Sequence, residues 1–218
     1  MRNERGQTER MNWEPKMFGA KGDGRTKDTK AVQAAIDTAA QRGGRVLLSG
    51  GTYLCGTLYL KSNVTMEIDL GAILKASGEI EDYGTDTHHN RYRNEPELDR
   101  CFLYAQDAEN IELCGKGMID GNAAAFPNEG SIQRPMLLRL LRCSHVRLHG
   151  LRLYHAAAWT TAFLDSSYLW ATDLDIFNHT NFNGDGLDFD GCHHIWVRGC
   201  RIAGTDDNLC LQSSGMPV

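Results

Sequence analysis

"HVRLHGLRL", residues 145–153, is the segment whose pattern decides the fold. Two later segments repeat the pattern, "YLWATDLDI" at residues 168–176 and "HIWVRGCRI" at residues 194–202. In each of them apolar and polar residues alternate, which is typical of a β-strand with one buried face. A Gly or Asp then precedes a second apolar pair, so each repeat predicts two short strands separated by a bend.

The repeats place Val146, Leu169 and Ile195 at one equivalent position, with spacings of 23 and 26 residues. Ile111, in the segment "NIELCGKGM", joins the same set. A single unit of this length cannot bury its apolar face alone, so such units stack on one another. The sequence therefore predicts an all-β fold, a right-handed parallel β-helix, in which these residues form one inward column.

One helix is predicted near the N-terminus, in "GRTKDTKAVQAAIDTAAQRGG" at residues 24–44. Its apolar residues have helical spacing, Thr26 or Asp28 lies where an N-cap belongs, and Gly43 lies where a helix ends. We expect a helix over about residues 29–41 that covers the open N-terminal end of the solenoid core.

The expected domain organisation is a polar lead over residues 1–16 and a single β-helix domain over residues 17–218. The net charge is −5 and the 23 Lys and Arg are scattered, which argues against a nucleic-acid partner. The lead contains no apolar run of the length that a signal peptide or membrane span needs. As written, the sequence predicts a cytoplasmic protein without a membrane partner, or a secreted or periplasmic one if its true N-terminus is missing.

Acidic residues are concentrated in "NGDGLDFDGCHHIWVRGCRIAGTDDNLCLQ", residues 183–212. The apolar pair that follows Asp185 recurs 22 residues later, and the same offset places Asp207 over Asp185, with Asp206 beside it. Strands of stacked coils lie about 4.8 Å apart, so we expect these three carboxylates to crowd together.

Three chemical interpretations of this crowding are open at this point. Hydrolysis of a glycosidic bond needs one protonated and one ionised carboxyl, and mutual repulsion separates those two states. Alternatively, the oxygens bind Ca²⁺, or the turns are acidic only because turns favour Asp.

The same segment resembles the central part of glycoside hydrolase family 28, the polygalacturonases and related pectin hydrolases, where Asn-Thr-Asp is followed one coil later by Asp-Asp. Segments such as "FGAKGDGRTKDTKAVQAAIDTA" and "RPMLLRLLRCSHVRLHGLRL" resemble the bacterial members of that family. The resemblance implies that Asp206 is the general acid and that Asp185 and Asp207 activate the hydrolytic water, with inversion at the anomeric carbon. It implies a pectic oligo- or polysaccharide substrate, and neither a metal nor another cofactor.

Two further residues are candidates for substrate binding. Asn183 lies just before Asp185 in the family-like motif. Trp159 precedes an equivalent strand, and its ring either forms the floor of the groove and contacts the face of a sugar or packs inside the solenoid. The chain departs from the family motifs at Gly184, where the family has Thr, and at Thr205, where Gly is usual. We therefore expect the backbone around the two motifs to differ from that of the family.

The family's Gly-His-Gly and Arg-Ile-Lys motifs are not found before Val218. We therefore expect that the C-terminal coils are lacking, that the 218-residue chain is feebly active or inactive, and that it associates through its C-terminal edge. Robust activity would require His155, His179 or Arg91 to replace the family's later residues. The alternatives are a calcium-dependent pectate-lyase-like enzyme and an inactive glycan-binding β-helix.

Overall fold

The computed structural model describes residues 11–87, 98–128 and 134–214. Over these residues the chain forms one α-helix, α1 (Thr29–Arg42), and twenty β-strands. The strands are β1 (Asn12–Trp13), β2 (Asp23–Lys27), β3 (Arg45–Leu48), β4 (Gly51–Cys55), β5 (Leu58–Tyr59), β6 (Thr65–Ile68), β7 (Ala72–Ala76), β8 (Cys101–Gln106), β9 (Glu109–Gly115), β10 (Met118–Asp120), β11 (Met136–Leu141), β12 (Ser144–His149), β13 (Arg152–Tyr154), β14 (Thr161–Leu164), β15 (Ser167–Thr172), β16 (Asp175–Asn178), β17 (Leu187–Asp190), β18 (His193–Arg198), β19 (Arg201–Gly204) and β20 (Leu209–Gln212).

The strands form three sheets, and from β3 onward each coil of the chain adds one strand to each sheet in turn. The first sheet has the order β1-β3-β6-β9-β12-β15-β18, the second β2-β4-β7-β10-β13-β16-β19, and the third β5-β8-β11-β14-β17-β20. Every neighbouring pair of strands is parallel. The predicted parallel β-helix is therefore confirmed.

The predicted inward column is also confirmed. Val146 pairs with Ile111 on one side and with Leu169 on the other, and Leu169 pairs in turn with Ile195. The first three are 1–2% exposed, while Ile195 lies partly buried against the same core. The aromatic rings of Phe163 and Phe189 extend this stacking into the third sheet, with ring centroids 4.9 Å apart. A coil buries its apolar face mainly against the coils on either side of it.

Helix α1 begins and ends close to the predicted bounds. Its buried face, which includes Val32 and Ile36, packs into the same core as the strands. Asp28 occupies the N-cap position, but its carboxylate makes no capping bond to the helix. Its two oxygens instead accept hydrogen bonds from the backbone N–H groups of Lys21 and Gly22, at 2.7 and 2.9 Å. Asp28 therefore anchors the loop before the helix.

At the last coil, strand β20 pairs within the described residues only with β17. Leu209 and Leu211 are 50% and 69% exposed there. Association of the chain through this edge, which the sequence suggested, stays a prediction. No helix among residues 11–87, 98–128 and 134–214 has the length and apolar character needed to cross a membrane.

The inward column can be tested with a matched pair of substitutions. Leu169→Ala removes a side chain that is 2% exposed, and we expect it to lower the free energy of unfolding by about 2–5 kcal/mol because a cavity remains. Leu70→Ala makes the same change at a site that is 70% exposed, and we expect less than about 0.5 kcal/mol. Urea unfolding of both variants measures the difference, and equal effects would contradict the column.

Candidate functional site

The turns that connect the second sheet to the third carry the three aspartates. Asp185 lies between β16 and β17, and Asp206 and Asp207 lie one coil later, between β19 and β20. Each carboxylate offers one oxygen, and these oxygens all lie within 4.8 Å of one another. Asp185 is buried at 6% exposure, whereas the other two are exposed. The structure thus brings together the three residues that the repeat offset aligned, while their chemical roles stay predictions.

Strand pairing explains why these carboxylates meet. Leu187 pairs with Leu209 immediately after the two turns. The N–H of Gly186 donates to the carbonyl of Asp207 at 2.9 Å, which carries the ladder into the turns themselves. Parallel coils repeat at one strand spacing, so equivalent turn residues are placed side by side. The clustering therefore follows directly from the register of β17 on β20.

A fourth carboxyl, that of Asp188, lies close enough to these three to interact with their charges and was missed in the sequence analysis. It is 6% exposed, and within the described part of the chain its Oδ2 has no hydrogen-bond partner. Burial, together with the smaller effect of the charges of Asp185, Asp207 and Asp206, raises the pKa of Asp188 to about 9. The carboxyl is therefore protonated at neutral pH.

Asp188 is buried because the outer face of the third sheet is covered. Strand alternation places it outward, between the inward residues Leu187 and Phe189, and outward positions are expected to meet solvent. A narrow cleft over this face is instead lined by Trp159 together with Asp188 and Cys210. Sequence alternation gives the direction of the side chain but not what covers it.

Trp159 lies in a second apolar cluster on this outer face and is 6% exposed. This placement corresponds to the packing alternative, since little of the ring is open to a sugar. Contact between Trp159 and substrate stays a prediction. The other buried members of the cluster are Leu98, Cys101, Tyr104, Met136, Ala158 and Ala162.

Asn183 is held by an arginine that the sequence analysis did not select. Arg134 is fully buried, and its guanidinium donates to the carbonyl of Phe182 at 2.5 Å and to Oδ1 of Asn183 at 3.2 Å. The same guanidinium lies 5.7 Å from the centre of the Phe182 ring. Arg134 precedes Asn183 by 49 residues, so no local pattern could have joined them. Its hydrogen bonds orient the amide that immediately precedes the turn of Asp185.

The two histidines considered near the groove have other contacts. His155 Nδ1 lies 3.2 Å from Oδ1 of Asp120, and both residues line a cavity of about 220 Å³. The ring of His179 stacks on that of Phe177, with centroids 4.9 Å apart. Arg91, the third candidate replacement, lies outside the described residues. A role for any of them in catalysis stays a prediction.

Sequence comparison relates the chain to pectin-degrading enzymes. Residues 15–95 match the profile of a family described as rhamnogalacturonase A/epimerase, pectate lyase-like. Over 218 aligned residues, 90% of this chain and 43% of the relative, it is 24% identical to a probable polygalacturonase of Vitis vinifera. Over 112 residues, 48% of this chain and 18% of the relative, it is 36% identical to an exo-poly-alpha-D-galacturonosidase of Dickeya chrysanthemi. The predicted resemblance to the polygalacturonases, which are glycoside hydrolases, is confirmed.

Structural comparison agrees with this relationship. The family 28 exopolygalacturonase of Yersinia enterocolitica superposes with a TM-score of 0.79 at 23% identity, over 94% of this chain and 45% of that one. The likeness shows the fold, a right-handed parallel β-helix as predicted. The chain spans less than half of the length of these three proteins.

The protonated state of Asp188 can be tested through stability. Its pKa is about 9 in the folded chain and about 3.9 in an unfolded one, so between these values the folded state holds a proton that unfolding releases. The free energy of unfolding should then fall as pH rises, by at most about 1.4 kcal/mol per pH unit. Asp188→Asn mimics the neutral acid, so we expect it to remove this dependence and to be more stable than the parent at neutral pH.

Urea unfolding between about pH 5 and pH 8 measures this effect. The control is Asp173→Asn, at an exposed aspartate between β15 and β16. A pH dependence that persists in Asp188→Asn, or that Asp173→Asn removes equally, would contradict the assignment.

Proposed function

We propose that this chain carries the acid and base carboxyls of a hydrolase that cleaves galacturonate-containing pectic polysaccharide or oligosaccharide. One observation carries the proposal: Asp185, Asp206 and Asp207 lie together on successive turns of the solenoid, and their carboxylate oxygens are within 4.8 Å of one another. The resemblance to polygalacturonases supports the choice of substrate. The resemblance leaves four candidate substrates: polygalacturonan, oligogalacturonides, rhamnogalacturonan and xylogalacturonan. It is also compatible with either endo or exo cleavage.

In the proposed reaction, Asp206 donates its proton to the glycosidic oxygen as the bond from that oxygen to the anomeric carbon breaks. A water held by Asp185 and Asp207 attacks the anomeric carbon from the opposite face, and its proton passes to one of these carboxylates. The products are one fragment with a new reducing end and a second fragment on which the former glycosidic oxygen is now a hydroxyl group. Asp206 is exposed and can reach solvent for reprotonation, whereas buried Asp185 is suited to hold a water away from bulk solvent.

Inversion is proposed from the family resemblance. Inverting sites usually separate their carboxyls by about 6.5–9.5 Å and retaining sites by about 5–5.5 Å. The oxygens here lie within 4.8 Å, so the separation by itself does not favour inversion. NMR observation of the first anomer released would decide the stereochemistry.

Two other candidate functions use the same residues. The oxygen cluster also has the composition of a Ca²⁺ site, as a calcium-dependent lyase would need. A lyase leaves an unsaturated sugar that absorbs ultraviolet light and loses activity with a chelator, whereas the proposed hydrolase does neither. A glycan-binding β-helix without turnover would bind oligogalacturonide and form no product.

The proposed function is tested by incubating the chain at high concentration with each of the four pectic substrates, because the sequence predicts weak turnover. We expect new reducing ends to form even in the presence of a chelator. We expect no product that absorbs ultraviolet light. Product that requires Ca²⁺, or binding without product, would support one of the other two functions instead.

Asp206→Asn tests the assignment of the acid. A neutral amide cannot donate the proton, so we expect turnover to fall by about 10²–10⁴-fold while substrate binding changes little. Steady-state kinetics and equilibrium binding of an oligogalacturonide measure the two effects separately. Asp173→Asn, the exposed control, should retain parental turnover, and near-normal turnover in Asp206→Asn would assign the acid elsewhere.

A further inference from the structure

The two positions at which the chain departs from the family motifs contact each other. Thr205 Oγ1 accepts a hydrogen bond from the N–H of Gly184 at 3.0 Å and donates one to the carbonyl of Asn181 at 2.9 Å. The N–H of Thr205 also donates to the carbonyls of Asn178 and Gly184, each at 3.2 Å. Thr205 therefore ties its own turn to the preceding turn through both its backbone and its side chain.

This close approach explains why residue 184 is a glycine. A Cβ on Gly184 would overlap both Thr205 Oγ1 and the carbonyl oxygen of Asn178. The first overlap is with a side chain, but the second is with backbone that cannot easily move. Gly184 and Thr205 are therefore complementary, because the space that a side chain at 184 would need is taken by the hydroxyl.

The contact lies directly beside the candidate acid and base. Gly184 immediately precedes Asp185, and Thr205 immediately precedes Asp206. On the other side of the aspartates, the turns are joined by the bond from Gly186 N–H to the Asp207 carbonyl. The two aspartate-bearing turns are thus fastened at both ends. At the end before the aspartates, the Thr205 hydroxyl adds a side-chain tether to Gly184 beside the backbone bonds by which Thr205 continues the pairing of β19 with β16.

We propose that Thr205 is a positioning residue whose hydroxyl sets the spacing between Asp185 and the Asp206–Asp207 pair. This role rests on the proposed hydrolytic function, because it acts through those carboxyls and not on the substrate. Reactions that need aligned groups lose about 100-fold in rate for displacements near 1 Å, so a tether at this point has a direct effect on turnover.

The hydroxyl supports the turns locally. Thr205 is an exposed residue, but its hydroxyl bonds to Gly184 and Asn181 are partly buried, so water replaces the lost hydroxyl only in part when Thr205 is changed to Val. Gly184 itself is buried, and its N–H reports on the contact directly. Exchange at Gly184 compared with exchange at Gly186 therefore separates a local change at the site from a loss of stability of the fold.

Three variants test the proposal. Thr205→Val keeps the shape and removes the hydroxyl, whereas Thr205→Ser keeps the hydroxyl. Thr172→Val is the matched control, because it also removes one hydroxyl hydrogen bond, to His149 at 2.9 Å, on a strand of the first sheet. For all three, the measurements are amide hydrogen exchange, the carboxyl carbon NMR shifts of the aspartates, and steady-state kinetics on the substrate that the chain cleaves.

In Thr205→Val we expect faster exchange at Gly184 with protection kept at Gly186, and shifted carboxyl signals of Asp185 and Asp206. We expect kcat to fall 10- to 100-fold with little change in KM. Thr205→Ser and Thr172→Val should resemble the parent in all three measurements.

Unchanged exchange at Gly184, or unchanged carboxyl signals, in Thr205→Val would overturn the proposal whether or not the chain is active. Altered signals with parental kcat would also overturn it, because the spacing would then not govern turnover. If the parent chain shows no hydrolysis, this chain by itself is not the proposed hydrolase, and the exchange and NMR results still decide whether Thr205 holds the two turns together.

Discussion

The structure depends on the parallel backbone ladder between successive coils. Each strand must pair its N–H and C=O groups with the next coil, so equivalent residues repeat at one strand spacing of about 4.8 Å along the solenoid. In the inward direction this repetition favours apolar columns such as Val146, Leu169 and Ile195. The same constraint acts on polar positions, where stacking brings like groups together whether or not their contact is favourable.

The aspartate cluster is the unfavourable outcome of that constraint. The register that pairs Leu187 with Leu209 also places Asp185 beside the following turn, where Asp206 and Asp207 lie. Asp188 shares this region and responds by holding its proton, with its pKa raised to about 9 by burial and by the neighbouring charges. A fold that tolerates crowded carboxyls in two protonation states has the starting condition for acid and base chemistry.

Long-range polar contacts position the loops that leave this ladder. Arg134 binds Phe182 and Asn183, and Arg139, which is 1% exposed, donates to the backbone carbonyls of Thr87 and Leu98. Both guanidiniums are buried and donate hydrogen bonds to backbone carbonyls. The planar group of each arginine thus has acceptors at fixed positions. The stacking of coils therefore sets the spacing of the aspartates, and the buried arginines hold the loops that leave the ladder.

The sequence alone determined the fold class, helix α1, the inward column and the grouping of Asp185 with Asp206 and Asp207. These features depend on the period of the repeat and on the register of the strands. The order of apolar residues in the sequence predicts both. Only the tertiary structure decided that Asp188 is buried and protonated and that Trp159 packs inside a second apolar cluster. The physical reason is that alternation assigns a side chain to one face of a sheet, while what covers that face comes from residues distant in the chain.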